Sequence, residues 1–276
     1  MILKGIKLFI MSAFKNKRVL ITGGAAGIGK IMGRLVLQKG AELIIWDINE
    51  KSVEETKKEL SALGVVHTFL VDVSEAEQIK QTAMLVRQLG IVDIVINNAG
   101  IVVGKYFSNH SKDEITRTMD INTIAPMLIT QEFLPAMIEQ NFGRICNIAS
   151  SAGLISNPKM SIYAASKWAV IGWSDSLRLE LKQQKLKIGV TTVTPYYINT
   201  GMFDGVKSIV PILNPEKVSK KIIKGIERNR PIVSMPWSMR FVRFGQGIMP
   251  IWLFDWFVGR VLGIYKTMEH FKGHDK

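Results

Sequence analysis

The chain holds a single cysteine, Cys146, so no internal disulfide can form and a disulfide-stapled secreted scaffold is excluded. A lone thiol inside an apolar, strand-like run reads as a buried structural residue of a protein kept in a reducing compartment. Histidine is equally scarce. Of four, only His270 and His274 stand at a ligand-like spacing, in a polar tail without a third ligand, so no metal site is expected. No Pro/Gly/Ser-rich linker and no internal repeat divides the 276 residues, and 47% hydrophobic content is enough for one large core. Long apolar runs are also missing. The stretch from about Ile248 to Tyr265 is broken by Pro250, Asp255 and Arg260, too short between breaks for the ~20 apolar residues of a spanning helix. Met1 to Phe14 carries Lys4 and Lys7 among apolar residues and runs into the first strand without a cleavage-like boundary, so it reads as an interfacial helix rather than a signal peptide.

Acidic residues are scarce only at the ends. The net charge of +13 comes from residues 1–18, with five Lys/Arg and no acid, and from residues 201–276, with thirteen Lys/Arg against six acids. The intervening residues are nearly balanced, eighteen against seventeen. The basic C-terminal part is interleaved with Trp237, Phe241, Phe244, Trp252, Phe254, Trp256 and Phe257, a composition suited to an anionic bilayer surface rather than to nucleic acid. A lid or subunit-contact segment over a substrate mouth accounts for the same residues, and both readings stand. The expected location is cytoplasmic, or peripheral on the cytoplasmic side of a membrane.

Between the ends, apolar runs at about 18–22, 42–47, 65–71, 92–97, 143–149, 188–194 and 231–235 alternate with helical periodicity at about 27–39, 50–63, 75–89, 112–139, 161–184 and 215–229. Runs such as Leu43-Ile44-Ile45-Trp46 and Ile94-Val95-Ile96 are apolar throughout, as strands covered on both faces must be. The expected fold is therefore α/β: a Rossmann-type, doubly wound, seven-stranded parallel sheet with helices on both faces. Residues 1–235 form the binding and catalytic domain with a basic N-terminal arm, and residues 236–276 an apolar and basic extension.

In such sheets ligands bind beyond the carboxyl ends of the strands. Here those ends carry the phrase Thr22-Gly23-Gly24-Ala25-Ala26-Gly27-Ile28-Gly29, then Asp47, Asp72, Asn97-Asn98-Ala99-Gly100, Ser150 and Pro195. Glycines between a strand and a helix let the backbone approach a pyrophosphate, and the first helical turn offers free N–H donors and positive dipole. Asp47 is placed to accept hydrogen bonds from ribose hydroxyls and to repel a 2′-phosphate, which favours NAD(H) over NADP(H); a helix N-cap is its alternative role. Lys30 and Asn49 lie nearby. Tyr163 and Lys167, four apart on one helix face, form a pair in which an ammonium lowers the pKa of a phenol that is otherwise about 10. Ser150 stands thirteen residues before the tyrosine, with Ser151 as its neighbouring candidate.

These motifs resemble the short-chain dehydrogenases/reductases over roughly residues 16–235. The stretches Trp46-Asp47-Ile48-Asn49, Phe133-Leu134-Pro135-Ala136-Met137-Ile138 and Thr200-Gly201-Met202-Phe203 look most like the membrane-associated retinol and 17β-hydroxysteroid dehydrogenase branch. The resemblance implies a catalytic set of Asn122, Ser150, Tyr163 and Lys167. Tyr163 exchanges the proton, Ser150 orients the substrate oxygen, Lys167 also grips the nicotinamide ribose, and Asn122 supports a water relay. It implies cofactor contacts at Gly23, Ala25, Gly27, Ile28, Gly29, Asp47, Asp72, Val73, Asn98, Ala99, Gly100, Tyr163, Lys167, Pro195, Ile198 and Thr200. Asp72 reads equally well as an adenine contact and as the start of the next helix. Where the family has Pro-Gly, this chain has Pro195-Tyr196-Tyr197, so Ile198 and Thr200 become the expected contacts there. The apolar segment Met202-Phe203 through Val206 and Ile209-Val210-Pro211-Ile212-Leu213 corresponds to a substrate flap, or packs onto the domain. The implied activity is hydride transfer between NAD(H) and a lipophilic alcohol or ketone, by a homodimer formed through helices 112–139 and 161–184, with Trp168 and Trp173 in the seam or the core. A non-catalytic dinucleotide-binding or membrane scaffold of the same fold is the alternative.

Overall fold

The computed structural model describes residues 13–272. The readings placed on residues 1–12 and on His274 lie outside the described residues.

Seven parallel strands form one sheet in the order β3-β2-β1-β4-β5-β6-β7. They are β1 (Arg18–Thr22), β2 (Glu42–Asp47), β3 (Val66–Leu70), β4 (Ile94–Asn97), β5 (Gly143–Ile148), β6 (Ile188–Pro195) and β7 (Ile232–Met235). Each lies within the expected run except β6, which extends one residue further, to Pro195. The chain moves outward from β1 to β3, then returns to place β4 on the other side of β1. That reversal opens a crevice at the carboxyl ends of β1 and β4, the place where open α/β sheets bind ligands.

Period-two alternation assigns the strand side chains to two cores. Val19 and Ile21, Leu43 and Ile45, and Ile94 and Ile96 face one side. There they meet α1 (Gly27–Leu37), α2 (Glu50–Leu60) and α7 (Pro215–Glu227) through residues such as Met32, Leu60 and Ile222. Leu20, Ile44, Trp46 and Val95 face the other. They meet α3 (Ala76–Leu89), α5 (Ala125–Glu139) and α6 (Ser161–Gln183) through Ile79, Phe133 and Leu177. Cys146 is fully buried in β5, and burial pushes its thiol pKa far up, in keeping with the structural role expected of it.

The helical pattern over 112–139 is not one helix. It divides into α4 (Lys112–Met119) and α5, joined by a widened turn over Asp120–Ile124 in which the Ala125 N–H reaches the Asp120 carbonyl, five residues back. Pro126 explains the change, because it lacks the N–H that a regular helix would direct at the carbonyl of Asn122. The wide turn carries Asn122, as such turns often carry functional side chains.

Residues 236–272 return over the carboxyl edge of the sheet. Two short helices, α8 (Val242–Ile248) and α9 (Ile251–Trp256), are followed by wide and tight single turns to Lys266. Met239, Val258, Ile264 and Met268 are buried in one cluster with Tyr163, Tyr196, Tyr197 and Val206, so this segment is packed as a roof on the domain. Among the described residues, no helix is long and apolar enough to cross a membrane.

Candidate active site

A cavity of about 390 Å³ runs along the carboxyl ends of the strands. At one end it is lined by Gly23, Gly27, Ile28, Asp47, Asp72 and Val73; Asn98, Ala99, Gly100, Pro195, Ile198 and Thr200 line it too. Ser150, Tyr163 and Lys167 stand on its wall. Three expected residues do not line it. Ala25, Gly29 and Asn122 lie behind the wall and shape it.

The glycine turn is dictated by crowding. Gly23 has a left-handed φ of +60°, and a Cβ there would lie 3.0 Å from the Ala99 Cα. A Cβ on Gly29 would come within 2.0 Å of the Gly23 carbonyl oxygen, so only glycine lets α1 start this close to β1. No side chain caps α1, leaving its first N–H groups free for an anion at the cavity. Thr22, which sequence reasoning treated only as part of a motif, holds the neighbouring loop: its hydroxyl accepts from the N–H groups of Asn98 and Ala99, both at 3.0 Å. Asn98 returns the tie through its amide nitrogen, donating to the carbonyls of Thr22 (3.0 Å) and Gly23 (2.9 Å).

Asp47 does not cap α2. Asn49 does, accepting from the Ser52 N–H at 2.9 Å. The Asp47 carboxylate instead accepts from the Ala25 N–H (3.0 Å) and the Asn49 N–H (3.2 Å), which aims it from β2 toward the glycine turn. Asp72 organises the entry to α3, accepting from the Ser74 N–H (2.9 Å) and hydroxyl (2.6 Å), and it also lines the cavity. Arg117 of α4, not singled out in the sequence, stands 3.6 Å from the Asp72 carboxylate at the same rim.

Tyr163 and Lys167 project from α6, both within the buried set. The Lys167 ammonium is 5.7 Å from the Tyr163 ring centroid and donates to the Ile148 carbonyl at 3.0 Å, so it comes to the site from β5 as well as from its own helix. The electrostatics differ from the sequence expectation. Burial pushes the Tyr163 pKa up to about 12, the Ser150 hydroxyl pulls the other way, and Tyr197 adds to the rise. Burial also lowers the Lys167 pKa to about 8. Desolvation is the largest cause of both shifts. Ser150 is fixed by accepting from the Ala152 N–H at 3.1 Å. Ser151 lines the cavity too, at the start of the tight turn that Ser150 caps.

Asn122 has its amide fully engaged. Its oxygen accepts from the Ile101 N–H (2.9 Å), and its nitrogen donates to the Ile101 carbonyl (2.9 Å) and to Ser166 Oγ (3.1 Å). A Cβ on Gly100 would meet Asn122 Oδ1 at 3.2 Å and Lys167 Nζ at 3.5 Å, which places the asparagine beside the lysine. Ser166 closes this frame by donating to the Tyr163 carbonyl at 2.7 Å.

The far end of the cavity is apolar and aromatic, lined by Ala152, Ile155, Met160, Phe203, Met239 and Ile264, the last two from the roof. Phe203 packs edge-on to Tyr163 at 6.0 Å and to Tyr197 at 5.0 Å. Met202 and Phe203 of the expected flap line the cavity, whereas Ile209 and Ile212 are exposed. Tyr196 and Tyr197, which follow Pro195 where the family has Pro-Gly, are buried side by side with centroids 4.6 Å apart. Among the described residues no cluster of His, Cys, Asp or Glu could hold a metal ion.

The profile of the short chain dehydrogenase family matches residues 17–209. Epidermal retinol dehydrogenase 2 of Mus musculus is 36% identical over 94% of this chain and 86% of its own length. Estradiol 17-beta-dehydrogenase 11 of Homo sapiens is 34% identical over 89% of this chain and 84% of its own. Among solved structures, a short chain dehydrogenase/reductase from Burkholderia phymatum in complex with NAD superimposes with a TM-score of 0.78 at 25% identity, covering 85% of this chain and 94% of that one. A short-chain dehydrogenase from Sphingobium yanoikuyae in complex with NADPH shares the fold, with a TM-score of 0.76 at 23% identity over 84% of this chain and 93% of that one.

Proposed function

The chain belongs to the short-chain dehydrogenase family and is an oxidoreductase related to retinol and hydroxysteroid dehydrogenases; from that premise we propose that it moves a hydride between NAD(H) and a lipophilic alcohol or its carbonyl partner. The observation that carries this reading is one continuous cavity with two chemical ends. The free N–H groups of α1 and the Asp47 carboxylate stand at one end, and Ser150, Tyr163 and Lys167 stand beside an apolar chamber at the other.

The residues fit a dinucleotide. The uncapped start of α1 suits a pyrophosphate, and Asp47 suits ribose hydroxyls while repelling a 2′-phosphate. Lys30, the nearby cation that would favour a phosphorylated cofactor, is engaged with Glu59 at 2.7 Å. The bound nicotinamide supplies the hydride acceptor or donor. In reduction the Tyr163 phenol donates its proton to the carbonyl oxygen, and in oxidation the corresponding phenolate accepts the carbinol proton, while Ser150 Oγ holds the substrate oxygen in line with it. Lys167 adds positive charge at the phenol face, and the Ile148 carbonyl, 3.0 Å from its ammonium, keeps it there. A water relay toward Lys167, supported by Asn122, is part of this proposal.

The substrate chamber is lined by apolar and aromatic side chains, which supports a lipophilic substrate. Exposed Trp237, Phe241, Phe244, Ile248, Trp252 and Trp256 on the outer side of the roof, beside exposed Arg240 and Arg260, support contact with an anionic membrane surface. Exposed Ile124, Ile138, Trp168 and Leu179 on α5 and α6 and the turn before α5 support pairing of two copies there. A non-catalytic scaffold is the second reading, and the intact Ser150, Tyr163 and Lys167 group weighs against it.

The test is a panel of retinol, steroid and long-chain primary alcohols with NAD and with NADP, followed by nicotinamide absorbance. Turnover of apolar alcohols, faster with NAD, is expected; binding of NAD without turnover of any alcohol or ketone would favour the scaffold.

A further inference from the structure

At the apolar end of the cavity stands a polar group separate from Ser150, Tyr163 and Lys167. Asn157 lies between β5 and α6, Tyr197 follows β6, and Thr267 lies near the end of the roof. The Asn157 amide nitrogen donates to the Tyr197 hydroxyl and to Thr267 Oγ1, each at 3.1 Å. The Tyr197 and Thr267 hydroxyls are themselves 3.0 Å apart.

The proton directions follow from the one member that can only accept. The Ile264 carbonyl takes the Thr267 hydroxyl proton at 2.8 Å, so Tyr197 must donate, to Thr267 Oγ1 or to Met160 Sδ. When Tyr197 donates to it, Thr267, 1% exposed, accepts twice and donates once, which saturates it. Its carbonyl also receives the Lys207 N–H from the flap at 3.4 Å. Both amide hydrogens of Asn157 are engaged, so its side chain cannot turn to offer a donor elsewhere.

One valence is left over. No hydrogen bond from the described residues reaches Asn157 Oδ1, and Asn157 lines the cavity. The network therefore fixes the acceptor-bearing Asn157 side chain in a wall that also holds Ile155, Met160, Tyr197, Phe203, Met239 and Ile264. We propose that Asn157 Oδ1 is a recognition subsite for a second hydroxyl of the substrate, remote from the reacting carbon. The substrate class is then an apolar alcohol or ketone carrying a further hydrogen-bond donor. A carbonyl at that remote position would meet acceptor against acceptor and be disfavoured. Tyr197 and Thr267 are positioning residues that hold the amide. The inference rests on the oxidoreductase reading for what happens at the other end of the same substrate.

The test uses the full chain with NAD and two matched substrates, a long-chain primary alcohol and the α,ω-diol of equal length. Turnover and equilibrium binding, the latter by tryptophan fluorescence, are both followed. The wild-type protein should prefer the diol through KM. Asn157→Leu, close in size, should raise KM and the dissociation constant for the diol about tenfold, with kcat and the mono-alcohol little changed. Thr267→Val, which loosens the amide but leaves it present, should shift the diol in the same direction by less. No wild-type preference for the diol, or an equal loss for both substrates in Asn157→Leu, would overturn the subsite. Turnover of neither substrate, with the diol still bound preferentially and that preference lost in Asn157→Leu, would remove the oxidoreductase reading and support the subsite.

Discussion

The Lys167 ammonium lies over the face of the Tyr163 ring, 5.7 Å from its centroid, and directs a proton to the Ile148 carbonyl at 3.0 Å. The two groups are i and i+4 on α6, as their spacing requires, but the lysine is oriented by β5. Its ammonium therefore stands beside the phenol, and burial is the largest influence on the pKa of both groups.

That balance makes stability depend on alkaline pH in a defined way. Lys167 falls from 10.5 to about 8 on folding, so the unfolded chain binds the extra proton between those values and stability rises with pH across that window. Tyr163 rises from 10.0 to about 12, so the folded chain holds the extra proton there and stability falls as pH climbs through that range. Lys167→Met should remove the gain above pH 8 and be more stable than the wild type at neutral pH. Denaturant unfolding at a series of pH values checks this; parallel wild-type and variant curves would count against a desolvated lysine.

Asp47 is held by the Ala25 and Asn49 N–H groups with its carboxylate at the cavity. Asp47→Ala should weaken NAD binding by roughly 1.5–3 kcal/mol, the usual worth of hydrogen bonds to a charged group, and should narrow the gap to NADP. Titration of both cofactors reads the ratio. An unchanged ratio would take the carboxylate out of cofactor selection.

Cys146 is fully buried, with its thiol pKa pushed far up by burial. Thiolate is the reactive form, so thiol reagents should leave the native protein unlabelled near neutral pH and label it once per chain in denaturant. Rapid labelling without denaturant would mean that β5 opens readily.

The roof has two faces, and the inner one makes truncation a poor probe of the outer. Removing residues 236–272 would strip Met239 and Ile264 from the cavity along with the exposed aromatics. Trp237, Phe241, Phe244 and Ile248 follow one another at spacings of four, three and four, and all are exposed, with the first two rings in edge contact at 5.7 Å. Phe244→Glu and Trp252→Glu should reduce cosedimentation with anionic vesicles while leaving turnover of a water-soluble alcohol intact. Undiminished vesicle binding would remove this face from the membrane reading.

The sheet was legible in the sequence because buried parallel strands leave continuous apolar runs, and because Gly, Asp, Asn and Ser at their ends mark the carboxyl edge. Most of the cavity-lining set from Gly23 to Thr200 was implied by the resemblance to the family, although Ala25, Gly29 and Asn122 do not line the cavity. What escaped depends on distances between segments far apart in the chain. Lys167 could be paired with Tyr163 by spacing, but the desolvation that raises the phenol's pKa and lowers the ammonium's appears only once α6 is packed. The wide turn at Asn122 had a local signal, Pro126 four residues on, which the apolar periodicity on both sides obscured. Met239, Ile264 and Thr267 carried no signal, since the short irregular turns of the roof have no period to separate an inner from an outer face. Arg117 likewise became visible only when α4 brought it to Asp72.

The account rests on Tyr163 as the group that exchanges a proton with the substrate oxygen. Tyr163→Phe keeps the ring between Lys167 and Phe203 and removes only the hydroxyl. Measured by NAD titration and by hydride transfer to or from an apolar alcohol in the same preparation, it should bind the cofactor as the wild type does and lose roughly 10²- to 10⁴-fold in turnover. Cofactor binding and turnover both equal to the wild type would contradict the account at its centre.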